Sequence, residues 1–292
     1  MIPQTEALDP ATVAIDRLDD VALATMLVAA HRVAVDAALA ASDAIARATA
    51  LIAHALAQGG RAIVVGAGTS GRLAVLDASE LPPTFGFEPS RFEGRIAGGD
   101  AALRRAVEGA EDDERAGAQC VADVSASDVV VGVSASGAAP FVRAALHAAR
   151  ERGARTIAIV NAPHSPLAQE SDIAIEALTG AEPIQGSTRM RAGTAQKIVL
   201  NALSTGAMIR LGKTYGNRMV DLVASNAKLR ARSERLVREL AGVNDARELL
   251  DAAGGSVKTA IVMARRGVGR DEAERLLAQA QGRLARVIDD AG

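Results

Sequence analysis

The middle of the chain alternates between short, continuously apolar runs and longer stretches in which apolar residues recur every three or four positions. Apolar runs of this length are typical of buried strands, and the longer stretches are typical of helices. Parallel strands connected by helices are covered on both faces, so the pattern predicts an α/β fold with a doubly wound, five-stranded parallel sheet. The strands are predicted at 61–65, 91–96, 128–133, 155–160 and 172–177. The helices between them are predicted at 70–80, 101–119, 138–152 and 164–170.

The two ends of the chain are helical in pattern. Residues 12–58 are rich in alanine and valine and predict two helices, the second ending near Gly59-Gly60. After Gly193 one helix is predicted to about residue 211 and another over 217–240. Beyond Gly242 three short helices are predicted, and their starts are Asn244, Ser256 and Arg270-Asp271. We therefore predict an N-terminal helical segment, a central α/β domain and a small C-terminal three-helix domain, at 1–58, 59–240 and 241–292.

Composition and charge exclude several classes of protein. Of 292 residues, 33 are Lys or Arg and 35 are Asp or Glu, a net charge of -2, so neither nucleic acid nor a membrane is indicated as a partner. Cys120 is the only cysteine, which excludes an intramolecular disulfide and is typical of a reducing compartment. The four histidines are far apart in sequence, so no metal site is expected. No signal-peptide pattern is found and no uncharged apolar run reaches about 18 residues, so a cytoplasmic globular protein is expected.

Three predicted strands are followed by turns rich in glycine, serine and threonine. The first, GAGTSGR, runs from Gly66 to Arg72 and formally matches the dinucleotide-binding pattern G-x-G-x-x-G. That pattern also needs an acidic residue at the end of the next strand, whereas Glu93 falls inside it. The hydroxyls of Thr69 and Ser70 in the turn favour a different ligand.

The second turn is SASG at 134–137, and the third is GSTRM at 186–190. Ligands of a doubly wound sheet bind at the carboxyl ends of its strands, where these turns are predicted to meet. Short hydroxyls and backbone N–H groups at helix N-termini suit a phosphate monoester, although serine and glycine also form turns that bind nothing. A hydrolase elbow is not indicated, because Ser136 stands where G-x-S-x-G requires glycine. The candidate binding residues are Gly68, Thr69, Ser70, Ser134, Ser136, Gly137, Ser187 and Thr188.

Carboxylates near these turns are candidates for acid–base catalysis. Glu80 in LDASELPP is predicted at a helix C-terminus, where the helix dipole disfavours negative charge, and Asp77 lies one turn earlier as a candidate partner. Within AVEGAEDDE, Glu108 and Glu111 are three residues apart and would share a helix face, although such clusters are usually solvated. An acid–base elimination needs one carboxylate to remove a proton and another to donate one. Spacing alone does not choose among these residues.

The motifs also resemble those of a known family. The chain is closely similar to the N-acetylmuramic acid 6-phosphate etherases of the sugar isomerase (SIS) superfamily in GAGTSGRLAVLDASELPPTFG, AVEGAEDD, GSTRMRAGTAQKIVLNALSTGAMIRLGKTYGNRMVDLVASNAKL and VKTAIVM. The resemblance covers nearly all of the chain from about residue 60 and is weaker before that. It implies a SIS fold, a C-terminal domain similar to ubiquitin-associated (UBA) folds, a homodimer, and no metal or organic cofactor.

The resemblance further implies a cytoplasmic lyase that converts N-acetylmuramate 6-phosphate and water into N-acetylglucosamine 6-phosphate and D-lactate. In the family's reaction the sugar ring opens, the proton at C2 is removed, lactate leaves from C3 and water adds. The family's proton donor is the glutamate of DASE, here Glu80, and its second catalytic glutamate, the base, corresponds to Glu111. The chain departs from the family's pattern at Leu81, where cysteine is usual, and from related SIS proteins at Ala139, where threonine contacts phosphate.

Two other functions would share these turns. A SIS aldose–ketose isomerase would use the phosphate turns and a base but would release no lactate. A sugar-phosphate sensor would need no catalytic carboxylates, and transcriptional sensors of this superfamily carry a basic DNA-binding segment. Residues 1–58 hold more acidic than basic side chains, so that segment is not indicated. The presence of both Glu80 and Glu111 favours an enzyme.

Overall fold

The structure, a computed structural model, describes residues 4–221 and 227–289. The chain divides into two compact units. The first comprises Met1–Ser79 and Pro89–Ser204, and the second comprises Glu80–Glu88 and Thr205–Gly292. A separate cluster of buried apolar side chains forms the core of each unit.

The first unit contains the predicted five-stranded sheet, in which every strand is parallel to its neighbours. The strands are β1 (Ala62–Gly66), β2 (Phe92–Ile96), β3 (Val129–Ser134), β4 (Arg155–Val160) and β5 (Ile173–Glu176). Their order is β2-β1-β3-β4-β5, so the direction of the connections reverses between β1 and β3. Both of these strands are buried along their whole length, which explains their uninterrupted apolar sequence. A crevice at such a reversal is the usual ligand site of a doubly wound sheet.

Helices cover both faces of this sheet. The helices that begin in the first unit are α1 (Asp20–Ala29), α2 (Arg32–Ala40), α3 (Ser42–Ala57), α4 (Gly68–Phe85), α5 (Ala101–Arg104), α6 (Glu114–Gln119), α7 (Pro140–Glu151), α8 (Pro166–Gln169) and α9 (Arg191–Arg210). Among them, α7 packs on β1, β3 and β4, and α3 packs on β1, β3 and β5. Short 3-10 helices occur at Gln4–Glu6, Pro10–Thr12, Ile15–Arg17, Pro89–Arg91 and Ala110–Asp112. The predicted α/β class is confirmed, with three α-helices rather than two within 12–58.

The acidic stretch predicted as one helix over 101–119 is instead broken. It contains α5, the 3-10 helix at Ala110–Asp112 and α6. Asp113 starts α6 anew, because its side chain accepts the backbone N–H of Ala116 (2.8 Å) as an N-cap. Glu108 and Glu111 therefore do not share a helix face, and the prediction that they do is wrong.

The proline pair does not end α4 as the sequence predicts. The helix continues through Pro82 and Pro83 to Phe85, although two prolines remove two of its N–H donors. Glu80 therefore lies inside the helix, and the argument that the helix dipole disfavours its charge at a C-terminus does not apply.

The second unit is helical, with one small antiparallel hairpin. Its elements beyond α9 are β6 (Thr214–Tyr215), β7 (Arg218–Met219), α10 (Ala227–Ala241), α11 (Ala246–Ala252), α12 (Val257–Arg266), α13 (Arg270–Gln279) and α14 (Leu284–Ile288). The predicted helix over 217–240 is correct only from Ala227, and its residues 222–226 lie outside the described ranges. Four short helices follow α10 rather than three, and α12 starts at the predicted Ser256, whose hydroxyl caps Thr259 N–H.

One segment is apolar enough and long enough to cross a membrane by composition alone. Asp20–Ala40 spans 21 residues with a mean hydropathy of 1.5 in its most apolar window. Only 17% of that window is buried inside the protein. Its exposed apolar side chains include Val21, Val28, Val35 and Leu39, so this segment presents an apolar surface that its own chain does not cover.

Candidate active site

A cleft of about 330 Å³ lies at the carboxyl ends of β1 and β3. Its walls come from the turns that follow these two strands, the loop before α9, the acidic segment before α6 and the N-terminal 3-10 helix. The three turns singled out in the sequence therefore meet as predicted. Six of the eight predicted binding residues line the cleft, namely Gly68, Thr69, Ser70, Ser134, Ser136 and Thr188. The other two, Gly137 and Ser187, do not line it.

Close packing of two glycines sets the first turn against the end of β1. A Cβ added to Gly66 would lie 2.6 Å from the backbone nitrogen of Gly71, a distance that no side chain tolerates. This approach holds Thr69 and Ser70 in the first turn of α4. The leading N–H groups of a helix have no partner within it and attract anions, so this turn can donate both backbone and hydroxyl hydrogens.

A buried chain of hydrogen bonds fixes the Ser70 hydroxyl. Ser70 Oγ donates to Gln196 Oε1 (2.9 Å), Gln196 Nε2 donates to Asn161 Oδ1 (2.9 Å), and Asn161 Nδ2 donates to the carbonyl oxygen of Ala177 (2.7 Å). That carbonyl can only accept, so it determines which end of each amide faces its neighbour. Gln196 and Asn161 are 1% and 0% exposed. The hydrogen of Ser70 is therefore committed to Gln196.

The second turn leaves its hydroxyl hydrogens available. Ser134 Oγ accepts the N–H of Gly137 (3.1 Å), and Ser136 Oγ accepts the N–H of Ala138 (3.2 Å). Each hydroxyl thus keeps its own hydrogen for a ligand. Gly137 shapes the turn but does not line the cleft. Its φ of +65° is in the left-handed region, and its N–H also donates to the carbonyl oxygen of Ser134 (3.2 Å).

The third turn contributes side chains but no helix terminus. The backbone N–H groups of Arg191 and Ala192, at the start of α9, donate to the Glu182 carboxylate at 2.8 and 2.9 Å. Glu182 is fully buried and satisfies the end of the helix internally. The expectation that the N-terminus of α9 binds phosphate is therefore wrong, and Thr188 is the hydroxyl that this turn places at the cleft.

The candidate carboxylates differ in whether they line the cleft. Glu111 lines the cleft and Glu108 does not. Asp77 is buried, and its Oδ1 accepts from Asn201 Nδ2 (2.6 Å) and Ser204 Oγ (3.1 Å); burial raises the pKa of this carboxyl.

Glu80, the second predicted catalytic residue, does not line the cleft. It is exposed and lies more than three helical turns, about 18 Å of helix rise, beyond the start of α4. Glu80 belongs to the second compact unit, whereas Glu111 and the rest of the cleft lining belong to the first.

Sequence reasoning missed two residues of the cleft, Thr5 and Glu6. They form the end of the first 3-10 helix, far in sequence from the strand-end turns. The sequence resemblance is weaker in this part of the chain than beyond residue 60, and these two residues were not among the candidates drawn from it. With Glu111, Glu6 gives the cleft two carboxylates. Within the described ranges, neither a lysine nor an arginine side chain lines it.

The described part of the cleft lacks the residues that dinucleotide binding and a serine hydrolase would each require. Glu93, the acidic residue of the dinucleotide pattern, bonds Arg95 (2.9 Å) and lies within 3.9 Å of Arg61, so its carboxylate is occupied inside the protein. A serine hydrolase needs a histidine beside its nucleophile. No histidine lines this cleft in the part of the chain that the structure describes.

Comparisons with known proteins show which family the chain resembles. The model of the N-terminal SIS domain of glucokinase regulatory protein matches residues 44–150, and the SIS domain model matches residues 104–205. Curated N-acetylmuramic acid 6-phosphate etherases from Yersinia pestis (strain Pestoides F) and Yersinia pseudotuberculosis (serotype O:1b, strain IP 31758) are each 49% identical over 284 residues, 96% of either chain. Among solved structures, phosphoheptose isomerases from Neisseria gonorrhoeae and Francisella tularensis match with TM-scores of 0.48. They are 19% and 20% identical, over 65% and 66% of this chain and 96% and 98% of theirs.

Proposed function

Because the chain belongs to the family of the N-acetylmuramic acid 6-phosphate etherases and is an enzyme of that activity, we propose that its strand-end cleft holds the sugar phosphate and that Glu111 is the catalytic base there. The reaction cleaves the D-lactyl ether of N-acetylmuramate 6-phosphate with water and gives N-acetylglucosamine 6-phosphate and D-lactate. One observation carries the proposal: Glu111 and the hydroxyls of three strand-end turns line a single cleft.

The phosphate is held by uncharged donors. Ser134 and Ser136 each keep a hydrogen to donate, because each accepts a backbone N–H instead of donating. The N-terminal turn of α4 adds backbone N–H groups, the Thr69 hydroxyl and a favourable helix dipole. Thr188 completes the ring of hydroxyls from the side of α9. These groups orient the sugar so that its reacting carbons face Glu111.

Acid–base chemistry follows from the open-chain form of the sugar. The C1 aldehyde acidifies the proton at C2, and Glu111 removes that proton. The electron pair forms a C2–C3 double bond as the C3–O bond breaks, and the departing lactate oxygen takes a proton from an acid. Water then adds to C3 of the unsaturated aldehyde. Positioned acids and bases contribute about 10²–10⁴-fold each to such steps.

The acid is Glu80 supplied by a second copy of the chain, so the working enzyme is a homodimer. Two observations support this arrangement: Glu80 is exposed on α4 and does not line the cleft, and Asp20–Ala40 presents uncovered apolar side chains. Val21, Val28 and Val35 recur every seven residues, the spacing of an interface between helices. Arg32 and Asp36 interrupt the same segment, and each costs about 3 kcal/mol at the centre of a bilayer. A soluble, cytoplasmic dimer therefore explains the segment better than a membrane span.

The division of labour along the chain is part of the same proposal. Residues 59–240 form the SIS domain that binds and converts the sugar phosphate, 1–58 form the N-terminal helical segment, and 241–292 form the UBA-like domain. Support comes from the SIS matches within 44–205 and from the helical elements beyond Gly242.

The activity is tested by D-lactate release from N-acetylmuramate 6-phosphate. We expect Glu111→Gln to lower kcat by at least about 10²-fold. Glu108→Gln is the matched control: it removes the same charge from an exposed residue three positions away, outside the cleft. Equal rates for these two variants would remove Glu111 from the mechanism, and no lactate from the folded wild type would overturn the activity.

The shared site is tested by mixing two inactive variants, Glu80→Gln and Glu111→Gln, under conditions in which subunits exchange. In a mixed dimer, one of the two sites receives both wild-type carboxylates only if they come from different chains. Statistical mixing should then restore about a quarter of the wild-type rate. If both carboxylates come from one chain, mixing restores nothing. Light scattering measures the dimer directly.

A further inference from the structure

The N-terminal 3-10 helix, Gln4–Glu6, contributes to the wall of the cleft although it lies outside the residues that either SIS model matches. Thr5 and Glu6 are far in sequence from the three turns at the strand ends but line the same cleft as Ser136 and Glu111. The established activity assigns them no role. Their position therefore raises the question of what part of the ligand they meet.

Specific contacts hold this segment in place. The side-chain amide of Gln185 donates to the backbone carbonyl of Glu6 (3.0 Å), and Asp9 forms an ion pair with Arg191 (2.8 Å). The two partners of that ion pair are mostly buried, and Arg191 also donates to the carbonyl of Ala30 (3.1 Å). The segment is thus fastened to the loop before α9, which itself lines the cleft through Gly186 and Thr188.

The side chains of this segment have unused hydrogen-bonding capacity. A Cβ on Gly186 would lie 2.8 Å from Glu6 Oε2, so the absence of a side chain there admits the carboxylate. Within the described ranges, neither a hydrogen bond nor an ion pair engages that carboxylate. Thr5 is fully buried, and its Oγ1 is one of the few buried polar atoms without a partner among the described residues. Buried hydroxyls are normally paired, so an orphan against a polar cleft points to a ligand.

Charge decides which part of the ligand these groups can meet. A carboxylate only accepts hydrogen bonds, and a phosphate only accepts them as well once it is fully ionised. Glu6 therefore repels the phosphate, and neither lysine nor arginine lines the described cleft to offset that repulsion. The donors of an amino-sugar phosphate are its hydroxyls and its amide N–H. We propose that Thr5 and Glu6 form a subsite for this uncharged, donor-bearing part of the ligand.

This subsite rests on the proposed function only in taking an amino-sugar phosphate as the ligand. It predicts opposite effects on two probes. With the charge removed in Glu6→Gln, inorganic phosphate should bind at least about twofold more tightly, because a repulsion is lost. The product N-acetylglucosamine 6-phosphate should bind about tenfold more weakly, because a charge-assisted hydrogen bond is replaced by a neutral one.

Titration calorimetry with both probes measures these effects. Asp16→Asn is the matched control, since it removes an exposed carboxylate from the same N-terminal segment outside the cleft, and we expect it to change neither affinity. Weakening of both probes by Glu6→Gln would indicate general damage to the site and overturn the subsite. Unchanged affinities would overturn it equally.

Thr5 has its own test. Thr5→Val replaces the hydroxyl by a methyl group of nearly the same size. If the hydroxyl made a hydrogen bond that stabilises the fold, this variant would unfold at a lower urea concentration than the wild type. We expect the urea midpoint to stay equal or rise, since an unpaired buried hydroxyl is removed, while affinity for the product falls and Thr5→Ser restores it. Full affinity in Thr5→Val would exclude Thr5 from the subsite.

The two proposals fail separately. If the wild type releases no lactate but Glu6→Gln still shifts the two probes in opposite directions, the activity is wrong and the subsite stands. If the wild type releases lactate and the probes do not diverge, the activity stands and the subsite is wrong.

Discussion

The replacement Gln196→Glu tests the direction of the buried hydrogen bonds that run from Ser70 through Gln196 to Asn161. The new side chain keeps the shape of glutamine and keeps an oxygen that accepts from Ser70. It loses the amide hydrogens that Gln196 Nε2 donates to Asn161 Oδ1 at 2.9 Å. Asn161 cannot turn over to compensate, because its own Nδ2 donates to the carbonyl of Ala177. Two oxygens would therefore face each other in a fully buried place unless the introduced carboxyl takes up a proton.

The change in the free energy of unfolding depends on whether the introduced carboxyl is protonated. Burial and the facing oxygen both favour the neutral acid, so the pKa of the introduced carboxyl is raised in the folded protein. A group with a raised folded pKa stabilises fully below its unfolded pKa of about 4.3, and that stability is lost as pH rises through the folded pKa. Each unit of the rise is worth about 1.4 kcal/mol. Rises of about 3 units, known for buried carboxyls, remove about 4 kcal/mol from a total of about 5–15 kcal/mol.

Urea unfolding between pH 5 and pH 8 measures this loss. We expect the free energy of unfolding of Gln196→Glu to approach the wild-type value at pH 5 and to fall increasingly below it towards pH 8. Gln119→Glu, at an exposed position on α6, controls for the added charge. A constant difference from the wild type at every pH would refute the hydrogen-bond order Ser70 to Gln196 to Asn161.

Three further outcomes are expected. Asp77→Asn should raise Tm at pH 7, because burial raises the pKa of Asp77 and makes its ionised form unfavourable. The wild type should regain stability as pH falls through that pKa. A difference in Tm between variant and wild type that is the same at pH 4 and pH 7 would contradict this. Ala139→Thr should add about 1 kcal/mol of stability, since α7 has no side-chain N-cap at Ala139, and should tighten inorganic phosphate about fivefold through a new hydroxyl donor; calorimetry that shows weaker phosphate binding would indicate overpacking instead. Cys120 should resist iodoacetamide at pH 8 until the protein unfolds, because burial raises the pKa of its thiol to about 11, and rapid alkylation of the folded protein would contradict that pKa.

Local patterns in the sequence were sufficient to predict the strands of the sheet and the turns that follow them. Each predicted strand lies within two residues of the observed one at either end, because a strand buried on both faces leaves an uninterrupted apolar run. The turns at Gly66 and Ser134 could be placed on one edge because parallel strands end on the same side. Glu111 was named through the family resemblance, and it lines the cleft although the helix expected around it is broken.

What the sequence could not supply are contacts between residues far apart in the chain. Ser70 and Gln196 are 126 positions apart, and Gln185 and Glu6 are 179 apart. Neither partner of either pair stands out by type or spacing. Glu182 is a similar case: a glutamate in a loop reads as solvated, yet this one is fully buried because it caps the N–H groups of α9. Such pairings depend on the folded backbone and leave no periodic signal.

The uncharged lining of the phosphate turns has a consequence for turnover in salt. Phosphate sites built on lysine or arginine exchange counterions when they bind, and their affinity falls steeply as ionic strength rises. The described wall of this cleft offers hydroxyls, amides and two carboxylates instead, and the whole chain carries a net charge of -2. In the proposed site, substrate is therefore not expected to be drawn in by long-range attraction, and we expect encounter at the rate of unassisted diffusion and docking. The proposed site would also favour product release, because substrate and product carry the same phosphate and the described wall holds neither with a fixed positive charge.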